Sequence, residues 1–499
     1  MTTKIIFTSK ENLKNKYHTS FLKIEVLFGK LIAADKLKGI DTSFVYIDDA
    51  SSAKKAGLDK ALTVNEKNCK TAFDTIYKKF KPDYMVIFGA QDIFPFQSLA
   101  NDLHTEQSQD DPDTIVPSDL PYACDTPYST KVSAFTNPTR VVGRIPDMPG
   151  IADMKYVQVL INNIIRQKPL EPSAYDAYFS VTADVWKKST ATTISNIFGD
   201  NAGMLKSPPS RGKGYGKSQL GALSHFFNCH GAANDVNYYG QKSSIYPRSL
   251  RSSDLNDTLS FGTVAVAECC YGAQLLNPDE NGRSIASNYL FNNAVTFMGS
   301  STIAYGPASG QGLADLICQY FLINVRAGAS TGRALLEARQ RFLTESGPYL
   351  DPFEMKTLAQ FHILGDPSLT LVKTAASKEA GNSTANRRIN LFTKGMSLGE
   401  SMAPAIKTDK FEKSVHHAAI AAIQKEAGME GDIAEQVFDT AISPAQGKNA
   451  LQKSFPGIAP RFRTYQYQQG SNRNMIDIKA LVIKENDEEV LGWRVYVSR

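Results

Sequence analysis

Two reactive side chains each close an apolar run and lead into glycine: His230 in SHFFNCHG and Cys270 in VAVAECCYG. A thiol attacks a carbonyl carbon as its thiolate, and an ordinary cysteine with a pKa of ~8.5 is mostly protonated at neutral pH. A histidine within reach takes that proton and later returns it to the leaving amine. The oxyanion formed between those steps needs backbone N–H donors already aimed at it. Gly231 lets a main-chain amide approach without a side chain in the way, and the amide of Cys270 is the natural second donor.

The neighbouring thiol is a poorer candidate. Successive residues on a strand face opposite ways, so Cys269 and Cys270 do not look into the same cleft. Cys270 comes last before Tyr-Gly, where the chain leaves the sheet; Cys269 then reads as a small core residue. His225, earlier on the same run as His230, reads as structural, and His18, His104, His362, His416 and His417 have no comparable setting. The same alternation argues against a metal held by Cys229, His230, Cys269 and Cys270, since each adjacent pair offers only one side chain to a common centre. Cys69, Cys124 and Cys318 are scattered and there is no CxxC pair, so neither a disulfide framework nor a zinc site is expected. No metal and no cofactor are expected.

Presenting a base and a nucleophile from neighbouring strand ends is what the carboxyl edge of an open parallel sheet does. The chain alternates accordingly. KIIF, FVYI, YMVIFG (84–89) and RVVGRIP (140–146) read as strands, with amphipathic helices over Cys69–Phe80 and Ala152–Arg166. The acidic stretch Asn101–Pro121 reads as a surface loop. Pro169 and Pro172 mark a boundary. Beyond it come the strand AYDAYFSVTAD (174–184), the two strands ending at His230 and Cys270, and VTFMGSSTIAYG (295–306). Helices over Leu313–Arg326 and Gly332–Thr344 follow, then FHILGDPSLTL (361–371). A polar linker begins near Lys373. The remainder suggests helices over Asp409–Lys425 and Asp432–Thr440 and two alternating strands, MIDIKALVIK (475–484) and LGWRVYVS (491–498). The expected domains are an N-terminal α/β unit (1–168), a catalytic α/β unit (169–375) and a C-terminal α+β domain (376–499). GKGYGKS (212–218) is one residue short of a phosphate loop and follows Pro-Pro-Ser rather than a strand, so it reads as a basic surface loop open to nicking.

Composition narrows the function classes. The 499 residues are 42% hydrophobic and 21% charged, with a net charge of +5. No basic stretch is interleaved with aromatics, so nucleic acid is not an expected partner. No apolar run reaches the ~18 residues of a spanning helix, and the N-terminal apolar core is shorter than the ~7–15 residues of a signal peptide. A cytoplasmic protein without a membrane partner is the expectation.

The CHG and ECCYG segments resemble the His-Gly and Ala-Cys-x-Gly signatures of clan CD cysteine peptidases, the group of caspases, legumain and gingipains. YMVIFGAQDIFP, SDLPYA (118–123), VVGRIP, MGSSTIAYG and LGDPSL (364–369) resemble gingipain segments in the same order, covering about residues 1–375. The resemblance implies two caspase-like three-layer α/β/α units with a mostly parallel sheet. It also implies a cysteine endopeptidase working through a thioester, with Cys270 as nucleophile and His230 as proton carrier. Gingipains place an acid at an earlier strand end; Asp184 in SVTAD matches it, and a strand-end or helix-capping role stays open. Asp176 is the weaker match. The family selects a basic residue before the cut with buried carboxylates. Here VWKKSTATTISNIF has none before Asp200, and Asp315 lies a few positions late, so that preference is the least secure implication. Tyr305 matches a pocket wall. The expected partners are a protein or peptide substrate and a regulatory partner acting through the C-terminal domain or through cleavage in Ser207–Gln219. A catalytically silent scaffold and a transamidase using the same dyad are the alternatives.

Overall fold

The computed structural model describes residues 2–107, 109–211, 215–374, 403–408, 414–429, 432–440, 460–472 and 475–499. The linker beyond Lys373, residues 212–214 of the basic loop and the start of the helix expected from Asp409 fall largely outside them.

The α/β part of the chain is built on one ten-stranded, mostly parallel sheet. Its order is Ile40–Tyr46, Thr2–Thr8, Tyr84–Phe88, Val142–Ile145, Phe361–Gly365, Ala294–Ser300, Thr263–Ala267, Ser224–Asn228, Tyr178–Ala183, Leu205–Ser207. The first five strands run parallel to one another, and so do the last five. The halves meet at one antiparallel seam, where Met298 pairs with Ile363. Such continuously apolar strands must be covered on both faces. Phe7 turns to one face and stacks on Phe73 of the helix Glu66–Phe80, with ring centroids 3.8 Å apart. On the other face Phe28 of the helix Phe21–Leu37 sits edge-on to Phe88 at 4.7 Å. Helices Leu313–Arg326 and Thr331–Ser346 form where the sequence places them. Among the described residues no helix is long and apolar enough to cross a membrane.

A second, seven-stranded sheet has the order Tyr305–Pro307, Val490–Ser498, Met475–Glu485, Arg461–Asn472, Ala434–Thr440, Ala403–Lys407, Tyr349–Leu350. Its first and last strands come from the part of the chain that builds the large sheet, so the C-terminal strands are stitched to that part at both edges.

Three expectations change here. The single strand expected over 295–306 is two: Ala294–Ser300 stays in the large sheet, while Tyr305–Pro307 leaves it for the second. Asp432–Thr440, expected helical, is largely the strand Ala434–Thr440, because pairing with Arg461–Gln466 and burial of Phe438 outweigh local helix propensity. The acidic stretch 101–121 is not a surface loop throughout. Asp111 is fully buried, paired with Lys356 and accepting a 2.8 Å bond from the Tyr305 hydroxyl. The second sheet rests on this stretch: Gln466 donates to the Leu103 carbonyl at 2.8 Å and Gln468 to that of Asp110 at 3.0 Å.

Candidate active site

The strands carrying the two reactive residues are adjacent and in register. Phe227 pairs with Ala267, and His230 and Cys270 each lie three residues further on, at the same edge. The loops that follow touch. A methyl group added at Gly231 would lie 1.8 Å from the Cys270 carbonyl oxygen, so this position admits only glycine. Behind the thiol the chain turns sharply: Tyr271 adopts φ 53°, a left-handed conformation costly for a bulky residue. The Tyr271 N–H bond to the Thr302 carbonyl (2.9 Å) and the Tyr271 hydroxyl bond to Asp113 (2.7 Å) hold it there. The turn is therefore over-determined by its surroundings.

The Cys270 sulfur rests on Ala304, accepting from its N–H at 3.3 Å and lying 3.5 Å from its carbonyl oxygen. Burial pushes the thiol up to about 12, so in this closed cleft it is protonated. Cys269 is buried in the core, as expected. His230 is pinned by reciprocal 2.8 Å backbone bonds with Tyr239. Its Nε2 meets the Gln241 side-chain oxygen at 2.8 Å, and Nδ1 lies 3.6 Å from an Asp477 carboxylate oxygen. The ring is closed through a circuit: Gln241 donates to the Tyr246 hydroxyl, and Tyr246 donates to Asp477, both at 2.7 Å. Burial lowers the His230 pKa and Asp477 works against that, so the imidazole is neutral in this state. His225 is a core residue, bonded to Tyr289 at 2.8 Å and lowered to about 4 by burial.

Asp184 comes directly after the strand Tyr178–Ala183, and its carboxylate turns to Lys187 at 3.1 Å. The acid facing the imidazole is Asp477, from the second sheet.

Beside this edge lies an acidic pocket. Asp315, the third residue of its helix, is fully buried and accepts from Ser189 at 2.7 Å. The Arg499 guanidinium reaches it with Nη2 at 3.1 and 3.2 Å. That guanidinium lies over the Trp186 ring, 4.7 Å from its centroid, and Trp186 packs against His230 at 4.4 Å. Glu268, two residues before the thiol, completes the floor. Ionised, it has no hydrogen-bond donor among the described residues; burial first, and then Asp315, drive its pKa well up, with Arg499 opposing. As a carboxylic acid it can donate to Asp315. The main chain of the same arginine engages the Cys270 loop: the Cys270 N–H donates to the Arg499 carbonyl oxygen at 3.1 Å. Tyr305 contributes its backbone to this groove, while its side chain points away to Asp111.

Glu268 was open to a sequence reading, since period-two alternation puts it on the face of Cys270. Trp186, Gln241 and Asp477 carry no such local sign.

The family model for peptidase family C25 matches residues 28–372. No curated protein matches. A solved chain described as "Structure of Protease" aligns over 99% of this chain and 96% of its own length, at 11% identity and a TM-score of 0.48.

Proposed function

Because the chain belongs to peptidase family C25, the gingipain family of clan CD cysteine peptidases, we propose that it is an endopeptidase that cuts after basic residues through Cys270 and His230. With a substrate in place, His230 takes the thiol proton and the Cys270 sulfur attacks the scissile carbonyl carbon. The C–N bond breaks as His230 returns the proton to the leaving amine. Water, deprotonated by His230, then attacks the thioester carbonyl, and the sulfur leaves as the acid forms. The amides of Cys270 and Gly231 hold the oxyanion.

Gln241 and Asp477 act as positioning residues. They fix the ring and stabilise its charged form, the role that the family resemblance gives to Asp184. Asp315 and Glu268 form the floor of the first substrate pocket and Trp186 its wall, which suits a guanidinium that needs both a carboxylate partner and an aromatic face.

One observation carries the reading: a single arginine has its guanidinium on Asp315 and its carbonyl oxygen on the Cys270 amide. The test is cleavage of arginine-containing peptides by the purified protein. Cys270→Ala should remove activity, by about 10⁴-fold or more as for nucleophiles generally, while Cys269→Ala keeps most of it. Equal loss in both variants would overturn the assignment.

A further inference from the structure

Arg499 is not a lone visitor to the pocket. The strand that delivers it is laid along the catalytic groove as a substrate's acyl side would be. Ser498 pairs with Tyr305, Val497 with Gly306 and Tyr496 with Pro307, all antiparallel. The Arg499 N–H donates to the carbonyl of Ala304, the residue on which the sulfur rests, at 2.9 Å, and the Ala308 N–H donates to the Val495 carbonyl at 2.9 Å. Resting on the reading that this cleft is a peptidase site, we propose that Tyr496–Arg499 is a substrate mimic that the chain holds in its own active site. The peptidase is thereby closed until that strand is withdrawn, and the peptides it accepts resemble Tyr-Val-Ser-Arg.

Three features set the segment apart from an accidental contact. Gly306 leaves the space that the guanidinium fills: a methyl group there would lie 2.0 Å from Arg499 Nη2 and 2.3 Å from Cζ. The strand is anchored at alternate positions. The Ser498 hydroxyl donates to the Ile476 carbonyl at 3.0 Å and accepts from the Ile478 N–H at 2.9 Å, within its own domain. The Tyr496 hydroxyl reaches into the body, to Asp351 at 2.8 Å, with its ring 5.3 Å from that of Phe353. Finally, the site is occupied but not engaged. Among the described residues the Cys270 sulfur is bonded to Ala304 and His230 to Gln241, with no hydrogen bond between thiol and imidazole. A tethered ligand competes at the high local concentration that tethering gives, so a free substrate must displace it.

The experiment compares the full-length protein with Arg499→Ala and with Gly306→Ala, which evicts the arginine without removing it. Cys270 alkylation by iodoacetamide is followed by peptide mapping, alongside hydrolysis of a Tyr-Val-Ser-Arg fluorogenic amide. Both variants should label Cys270 at least about tenfold faster, since the open fraction limits the reaction. Free Tyr-Val-Ser-Arg should slow labelling of Arg499→Ala, and should fail to protect a fourth protein that carries both Arg499→Ala and Gly306→Ala. Labelling at the same rate in all three proteins overturns the occupancy, whatever the hydrolysis shows. Accelerated labelling in both variants without hydrolysis of any arginine peptide supports the occupancy and overturns the peptidase reading beneath it.

Discussion

Two buried acidic clusters in this molecule are each neutralised by one cation, and they differ in where the cation comes from. In the N-terminal half of the sheet, Lys4 lies between Asp35 and Asp366 at 2.5 and 2.7 Å. Burial disfavours charge on Asp366, yet the Lys4 ammonium and the Ser368 bonds bring its pKa below the ordinary carboxylate range. Lys4 is on a central strand, Asp366 directly follows another and Asp35 is on the helix packed against them, so the ion cannot leave without unfolding. In the half that carries His230 and Cys270, Asp315 and Glu268 are served by Arg499, which arrives at the end of a strand of another sheet. The first cluster is cement. The second is a socket with a removable plug.

The largest effect should come from treating the two cations alike. Lys4→Ala leaves two buried carboxylates without their ion, and losing one partner of a buried pair costs about 3–5 kcal/mol. Arg499→Ala should cost clearly less in chemical denaturation, because water enters the opened groove and Glu268 is already disposed to hold a proton. Equal losses would abolish the distinction between cement and plug.

Next comes Asp315→Asn, which keeps the side chain's shape and removes its charge. For arginine substrates kcat/KM should fall about 100–1,000-fold, which is about 3–4 kcal/mol of transition-state binding. The urea midpoint should hardly move. A large loss of stability with activity per folded molecule preserved would make Asp315 a structural acid like Asp366.

Much of the half that carries the candidate site was legible because its reactive residues are placed locally. His230 and Cys270 are reactive groups closing strands that are otherwise wholly apolar, and strand pairing turns equal offsets into neighbours. The rest was written in long-range contacts. Asp477 is 247 positions from His230 and reads as an ordinary outward residue of an alternating strand until the second sheet folds over the edge. Asp315 looked misplaced by spacing alone, yet Gly312 and Leu313 start its helix just where the carboxylate enters the pocket. The acidic stretch 101–121 suggested solvent because its partner cation, Lys356, lies far downstream on another helix.

The smallest effect sharpens the comparison most. The pKa of Glu268 is raised in the pocket and a bound guanidinium lowers it again, so an arginine that enters must release part of a proton from that carboxyl. Binding linked to proton release strengthens as pH rises between the occupied and the empty pKa, by up to about tenfold per pH unit for one full proton. KM for an arginine peptide, measured in the Arg499→Ala background to keep the groove open, should therefore fall a few-fold with rising pH. In Glu268→Gln that slope should vanish, while the His230 limb of the kcat profile stays where it was. The Lys4 cluster offers the contrast: its cation never exchanges, so its carboxylates take no part in the proton uptake that accompanies ligand release. A KM slope that survives Glu268→Gln would place the exchangeable proton elsewhere and leave the socket with Asp315 alone.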